Sequence, residues 1–233
     1  MRGNHDRTHT TSLAATCSVS PLEPHHHDCF RDEFFPDGAT WWNNDVFGMR
    51  VLGLDTYDKL GNGGDEGHLS PKQFDFVMDT LRTNRDQPTL VTGHHPITLE
   101  STLTTVPPVV RGYNFNHKQA DALEHLYART PGVFMHHAGH THRNKQTVSS
   151  IAKRVAFHEV SAVKEYPGGF SLLRVHTGGY AFNFYKFRDP LAHEWSERSR
   201  PEYVGLAPLY TFGSNADRNT VVVRDFAGLA SAR

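Results

Sequence analysis

The sequence predicts an α/β fold whose functional loops follow buried strands. Two short apolar segments, residues 89–92 and 133–136, have the length of strands, and each leads into a loop rich in glycine and histidine. Segments with helical periodicity lie before both of them, so the chain alternates between strand and helix. This alternation is typical of a parallel sheet that carries its functional groups at the carboxyl ends of its strands. We therefore expect the two histidine-rich loops to meet at one edge of the sheet.

Residues 7–45 are predicted to form a long irregular loop. Because a loop of this length in a compact domain is usually functional or mobile, we interpret it as an insertion that overhangs the site. The run His-His-His-Asp at residues 25–28 could bind metal or be a solvated loop. Cys17 and Cys29 could form a disulfide in an exported protein or be ordinary thiols. Four aromatic residues of the segment could pack in the core or line a substrate pocket: Phe34, Phe35, Trp41 and Trp42.

The middle of the chain contains one further strand and two helices. Residues 46–54 are predicted to form a single strand, with Asp55 directly after it. A helix is expected from Ser70, since Ser70 to Gln73 has the form of a capping box with proline at the first helical position. A second helix is expected from Asn116, with Gln119 as its capping partner. Apolar residues recur at helical spacing in both helices: Phe74, Val77, Met78 and Leu81 in the first, and Ala120, Leu123 and Leu126 in the second.

The pattern changes to antiparallel β structure after residue 144. A strand is expected over residues 154–160, and residues 170–175 and 180–187 flank His-Thr-Gly-Gly, which predicts a hairpin. We assign residues 1–187 to one domain. Residues 188–233 are polar and rich in proline, with a short strand candidate at 221–223. We expect this tail to wrap the domain surface or to be partly mobile.

Composition limits the classes of partner. A chain of 233 residues is long enough for one large domain with a sizeable core. The formal net charge of −1 and the pI near 7.0 give no general attraction to nucleic acid. No apolar run approaches the about 20 residues that a membrane-spanning helix needs. The chain carries no recognisable signal peptide, and its localisation stays open between cytoplasmic and exported. The oligomeric state stays open as well.

Three short motifs contain residues that suit a metal centre. They are Gly-Asn-His-Asp at residues 3–6, Gly-His-His-Pro at 93–96 and Gly-His-Thr-His at 139–142. Alternate side chains of an extended segment project to the same side, so His140 and His142 could bind one ion, or one each of two neighbouring ions. A lone His-X-His is weak evidence in a chain with seventeen histidines. The prediction therefore depends on all three motifs coming together.

In order and type, these motifs resemble the last three motifs of the calcineurin-like metallophosphoesterases. That family's pattern runs Asp-X-His, Gly-Asp, Gly-Asn-His-Asp/Glu, a His motif such as His-X-Pro, and Gly-His-X-His. The resemblance extends to about residue 187. It implies a β-sandwich flanked by helices in four layers, α/β/β/α, with a binuclear centre of Mn, Fe or Zn ions. Several distal residues are similar to a bacterial branch of such proteins: Trp195, Tyr210, Gly213, Asp217, Arg218 and Asn219.

The resemblance assigns roles to individual residues. Asn4, His94 and His140 would hold metal two, and His142 would be a ligand of metal one. His5 would donate a proton to the leaving group or stabilise charge in the transition state, and Asp6 would orient His5. The residues themselves agree, because an amide oxygen and three imidazoles form a half-site open to water or phosphate.

The other histidines of the chain have no assigned role as ligands. His95 could lie behind the ligands, face the substrate, or be structural. His136 and His137 are expected to be satisfied core histidines, and His158 and His176 to be structural.

The first two family motifs are missing ahead of Gly3. We therefore expect the fold to lack the family's first strands, and we favour a gene model that starts too late over a truncated piece or a short natural protein. Metal one would keep only His142, so we expect residues 1–233 to bind at most one ion tightly and to have little activity of their own.

Together these observations predict a metal-dependent hydrolase of phosphoester bonds in its full-length form, acting on a small-molecule substrate. An alternative is a non-catalytic metal-binding or assembly module. A metallo-β-lactamase-type hydrolase is disfavoured, because its His-X-His-X-Asp-His does not occur: Arg143 and Asn144 follow His142 here.

Overall fold

Two β-sheets and six helices make up the part of the chain that the structure, a computed structural model, describes: residues 35, 40–57, 66–105, 114–202, 205–226 and 229. The strands are β1 Trp42–Val46, β2 Met49–Gly53, β3 Thr89–Thr92, β4 Val133–Ala138, β5 Lys145–Thr147, β6 Ala156–Glu159, β7 Gly169–His176, β8 Gly179–Lys186 and β9 Asn219–Val223. The helices are α1 Pro71–Arg82, α2 Leu99–Thr104, α3 His117–Ala128, α4 Pro190–Glu197, α5 Ala207–Phe212 and α6 Asn215–Arg218. The predicted α/β class is confirmed at this level.

A hairpin replaces the single strand predicted over residues 46–54. β1 and β2 pair antiparallel around a two-residue turn, in which Phe47 has φ 54° and Gly48 φ 86°. Positive φ at both central residues is the geometry that joins tightly paired strands. The prediction of one strand was wrong because its apolar run continued through this turn. β1 also lies in the segment that was predicted to be irregular, and Trp42 packs so closely over Gly53 that a methyl group there would collide with its ring.

The six-stranded sheet has the order β1-β2-β3-β4-β6-β5, and its central pairs β2–β3, β3–β4 and β4–β6 are parallel. Helices α1 and α3 cover one face of this sheet and bury the predicted apolar positions, including Val77, Leu81 and Leu123. Both predicted N-caps are confirmed: the Ser70 side chain accepts from the Gln73 amide, and that of Asn116 from the Gln119 amide.

The second sheet, β7-β8-β9, packs against the other face. Its strands β7 and β8 form the predicted hairpin in full register. Phe134 from β4 and Tyr180 and Phe182 from β8 are buried together between the sheets. The described residues therefore form three layers, helix, sheet and sheet. The predicted fourth layer of helices stays a prediction, and Val221 and Val223 are exposed on the outer side of β9.

The segment after residue 187 adds regular structure to the fold. It contains α4, α5 and α6, and β9 pairs antiparallel with β8 over Asn219–Val223. Phe226, directly beyond β9, is buried in the core between the sheets. These residues thus extend the second sheet, although the predicted boundary at residue 187 itself stays a prediction. Among the described residues, no helix is both long and apolar enough to cross a membrane.

Candidate metal centre

His94 and His140 meet where strands β3 and β4 end. The two strands are parallel neighbours, with Thr92 opposite His137, so the loops that follow them start side by side. The loops are joined directly, because the Gly139 amide donates to the His94 carbonyl at 2.8 Å. The imidazole centroids of His94 and His140 lie 5.3 Å apart. The structure thus brings together two of the predicted ligand residues.

His95 is the third member of this cluster. Its ring centroid lies 4.8 Å from that of His94 and 4.3 Å from that of His140. One ring nitrogen from each histidine can be chosen so that all three lie within 4.8 Å of one another, and His95 is fully buried. The sequence left the position of His95 open between a place behind the ligands, a substrate-facing place and a structural role. In the sequence, the available indication of this position was that His95 directly follows His94 in Gly-His-His-Pro.

Thr56 supports the loop that carries His94 and His95. Its hydroxyl accepts the backbone N–H of both residues at 3.1 Å and contacts the His95 Nδ1 at 2.8 Å. Gly93 permits this approach, since a Cβ at that position would lie 2.7 Å from the Thr56 methyl group. Thr56 follows β2 and was not singled out in the sequence, where a lone threonine gives no signal of such a role.

The Gly-His-Thr-His loop is held in an uncommon backbone conformation. His140 and His142 have φ values of 66° and 54°, in the left-handed region that residues other than glycine seldom adopt. Buried Glu159 on β6 holds the residues that follow these two histidines. It accepts the Thr141 hydroxyl at 2.6 Å and the Arg143 Nε–H at 2.8 Å. Such conformations persist where surrounding contacts hold them, and they cluster at functional sites.

His142 points to a different partner. Its Nδ1 lies 2.7 Å from the Oε2 of Glu165, whose other oxygen lies 2.9 Å from the Lys164 Nζ. The hydrogen bond with His142 is the main cause that lowers the pKa of Glu165 to about 2. Within the described residues His142 is not part of the three-histidine cluster. Glu165 was missed in the sequence, because it lies in a loop 23 residues further along with no motif around it.

The remaining predicted residues divide into two groups. Asn4, His5 and Asp6 lie outside the described residues, as do Cys17, Cys29 and the histidine run at 25–28. His136 is buried, as expected, and His158, which was expected to be structural, is buried as well. The Nδ1 of His136 lies 3.1 Å from the Tyr127 hydroxyl, whereas both ring nitrogens of His158 have no hydrogen-bond partner among the described residues.

The donor set at this edge fits a transition-metal ion. Neutral imidazole is a common ligand of Zn, Fe and related ions. His94 and His140 supply two imidazoles from adjacent strand ends, and a carboxylate holds His142 through Nδ1, as is usual behind a ligand histidine. The site therefore belongs to the class of histidine-rich clusters at the carboxyl edge of a parallel sheet.

A solved structure with a similar fold is that of a phosphatase. The structure is similar to the crystal structure of a dimetal phosphatase from Danio rerio, with a TM-score of 0.53 and 14% sequence identity. The match covers 78% of this chain and 67% of that chain. At this identity the likeness shows the shared fold alone. No family model matches the sequence. The search of curated proteins also gave no match.

Proposed function

We propose that this protein is a metal-dependent hydrolase of phosphoester bonds with a binuclear centre in its full-length form. One observation carries the proposal: His94 and His140 converge at the ends of adjacent parallel strands, with ring centroids 5.3 Å apart, in a fold similar to that of a dimetal phosphatase. The two residues come from separate motifs, 46 positions apart, that the sequence had already grouped.

Some residues of the chain are proposed to bind the metal ions, and others to transfer protons. His94 and His140, with Asn4, are proposed to hold metal two, and His142 to bind metal one through Nε2, because its Nδ1 faces Glu165. When bound, Mn, Fe or Zn ions would neutralise charge on phosphoryl oxygens and lower the pKa of a water. His5 is proposed to protonate the leaving group, with Asp6 orienting its ring.

The test separates ligands from the proton donor. Replacing His140 by alanine should reduce metal content and turnover together, since it removes an imidazole ligand. Replacing His5 by alanine should leave metal content near that of the wild type and slow turnover, mainly for substrates with poor leaving groups. Metal content is measured by elemental analysis and calorimetric titration. Turnover is measured on a panel of phosphomonoesters and phosphodiesters.

A matched control is His125→Ala, which removes an imidazole exposed on α3 and should change neither property. Equal loss of metal in the His5 and His140 variants would contradict the assignment of His5 as proton donor. Tight metal binding without turnover on any phosphoester would instead support the alternative, a non-catalytic metal-binding module.

A further inference from the structure

Thr56 connects the end of β2 to the loop that carries His94. Its hydroxyl oxygen accepts the backbone N–H groups of His94 and His95, each at 3.1 Å. Thr56 and His95 are fully buried, so water has little access to replace these hydrogen bonds. A buried N–H group that loses its acceptor costs the protein the full desolvation penalty of that group. One hydroxyl group therefore holds two successive backbone N–H groups of the loop.

The segment that carries Thr56 is itself held by helix α1. The side-chain amide of Gln73, which is fully buried, accepts the Asp55 N–H at 2.8 Å and donates to the Asp55 carbonyl at 2.9 Å. The Asp55 carboxylate accepts the Tyr57 N–H at 3.0 Å. The backbone is thus bound on both sides of Thr56, and its hydroxyl is presented to the histidine loop from a fixed place.

We infer that Thr56 is a positioning residue of the candidate metal centre and acts through the backbone of His94. The His94 imidazole starts from a backbone that Thr56 holds, whereas His140 lies in a loop that Glu159 on β6 holds through Thr141. Distances from an ion to its ligands vary by only about 0.2 Å. A small shift of the first loop would therefore disturb a site that needs both imidazoles.

The inference rests on the proposed function, because it concerns the metal that His94 and His140 are proposed to hold. It uses only the backbone hydrogen bonds of the loop, and it holds whichever ring nitrogens of the histidines face the ion.

The first experiment compares three threonine variants. Thr56→Val keeps the shape of the side chain without the hydroxyl, and it should bind Zn²⁺ about tenfold more weakly than the wild type in calorimetric titration. Thr56→Ser keeps the hydroxyl and should restore the wild-type affinity. Thr89→Val is the matched control, since Thr89 is also fully buried and its hydroxyl donates to the Gln87 carbonyl at the other end of β3. It should lower the urea unfolding midpoint and leave the Zn²⁺ affinity unchanged.

The second experiment uses bound Co²⁺, whose visible absorption depends on coordination geometry. The spectrum should change in Thr56→Val and match that of the wild type in Thr56→Ser and Thr89→Val. If Thr56 only stabilised the fold, Thr56→Val would lower the unfolding midpoint and keep both the spectrum and the Zn²⁺ affinity, which would overturn the inference. An equal loss of affinity in Thr89→Val would overturn it as well.

Two further measurements keep the inference testable. If Thr56→Val does not fold, Thr56→Ala takes its place, because the smaller side chain leaves room for a water to accept the two N–H groups, and Zn²⁺ binding should again weaken. If the wild type bound no Zn²⁺ at all, the proposed function would fail. Hydrogen exchange of the His94 and His95 amides would then decide whether Thr56 holds the loop: it should accelerate in Thr56→Val and not in Thr89→Val. Unchanged exchange in Thr56→Val would refute the role of Thr56.

Discussion

At the scale of single residues, Glu165 orients His142, which we propose as a metal ligand. With Nδ1 2.7 Å from the carboxylate, the ring is held in one orientation, and its Nε2 is the nitrogen that we propose binds metal one. A negative partner also makes imidazole a stronger ligand. Both side chains are largely buried, 27% and 14% exposed, so water competes only weakly for this contact.

In the proposed binuclear centre, Glu165→Ala is expected to weaken binding of metal one by about 10-fold to 100-fold, because His142 would lose the group that orients it. Calorimetric titration with Zn²⁺ measures the change. Lys164→Ala is the matched control, since it removes the exposed partner of the same carboxylate and should leave the affinity almost unchanged. Wild-type affinity in Glu165→Ala, with normal thermal unfolding, would assign Glu165 to the folding of its loop only.

At the scale of elements, the loop of His140 and His142 is clamped from two sides. Glu159 on β6 holds Thr141 and Arg143. On the other side, the Asn144 amide donates to the Thr211 carbonyl at 2.9 Å, which ties the loop to α5. The motif loop is therefore positioned by elements that follow it in the chain, including the segment after residue 187.

Gly213, which follows α5, allows the contact between these elements. Its φ is 70°, and a Cβ at this position would collide with the Asn144 carbonyl oxygen. Gly213→Ala should therefore destabilise the protein by about 1–3 kcal/mol, from backbone strain and from displacement of the loop. The shift of the urea unfolding midpoint measures this loss.

Gly178→Ala provides the comparison, because an added Cβ there meets no atom within 4 Å and its φ lies outside the left-handed region. Equal unfolding midpoints for the two alanine variants would show that the contact between α5 and the motif loop contributes nothing to stability.

At the scale of the whole molecule, buried histidines connect stability to pH. His136 and His158 are each 1% exposed, and burial lowers the pKa of His136 to about 3 and that of His158 to about 4. In the unfolded chain both would titrate near 6.5. The unfolded state therefore binds more protons than the folded state as the pH falls below 6.5.

Their contribution to stability is complete above about pH 6.5 and is lost as the pH falls toward the folded pKa values. Each histidine should reduce the free energy of unfolding by about 1.4 kcal/mol per pH unit in this range. Urea unfolding at pH 7, 6 and 5 tests this expectation. His158→Leu should make the pH dependence shallower by about the contribution of one group. A pH dependence identical to that of the wild type would show that His158 has the same pKa in the folded and the unfolded protein.

The sequence by itself determined the parallel core and the meeting of two motifs. The helical periodicity of residues such as Val77 and Leu81 was enough to place α1, because burial of one helix face follows directly from spacing. The positions of His94 and His140 after apolar strands were enough to bring them together, because parallel neighbours end at the same edge. The hairpin of β7 and β8 followed in the same way from alternation and a glycine-rich turn.

Only the tertiary structure decided the rest, because those contacts join residues with no pattern between them. The turn at Phe47 and Gly48 depends on backbone angles that an apolar run conceals. Thr56 and Glu165 reach the histidines from distant loops, and no spacing rule relates them to a motif. The sequence could name the histidines of this site, whereas the orientation of His95 and His142 is set by side chains that only the folded chain brings into hydrogen-bond distance.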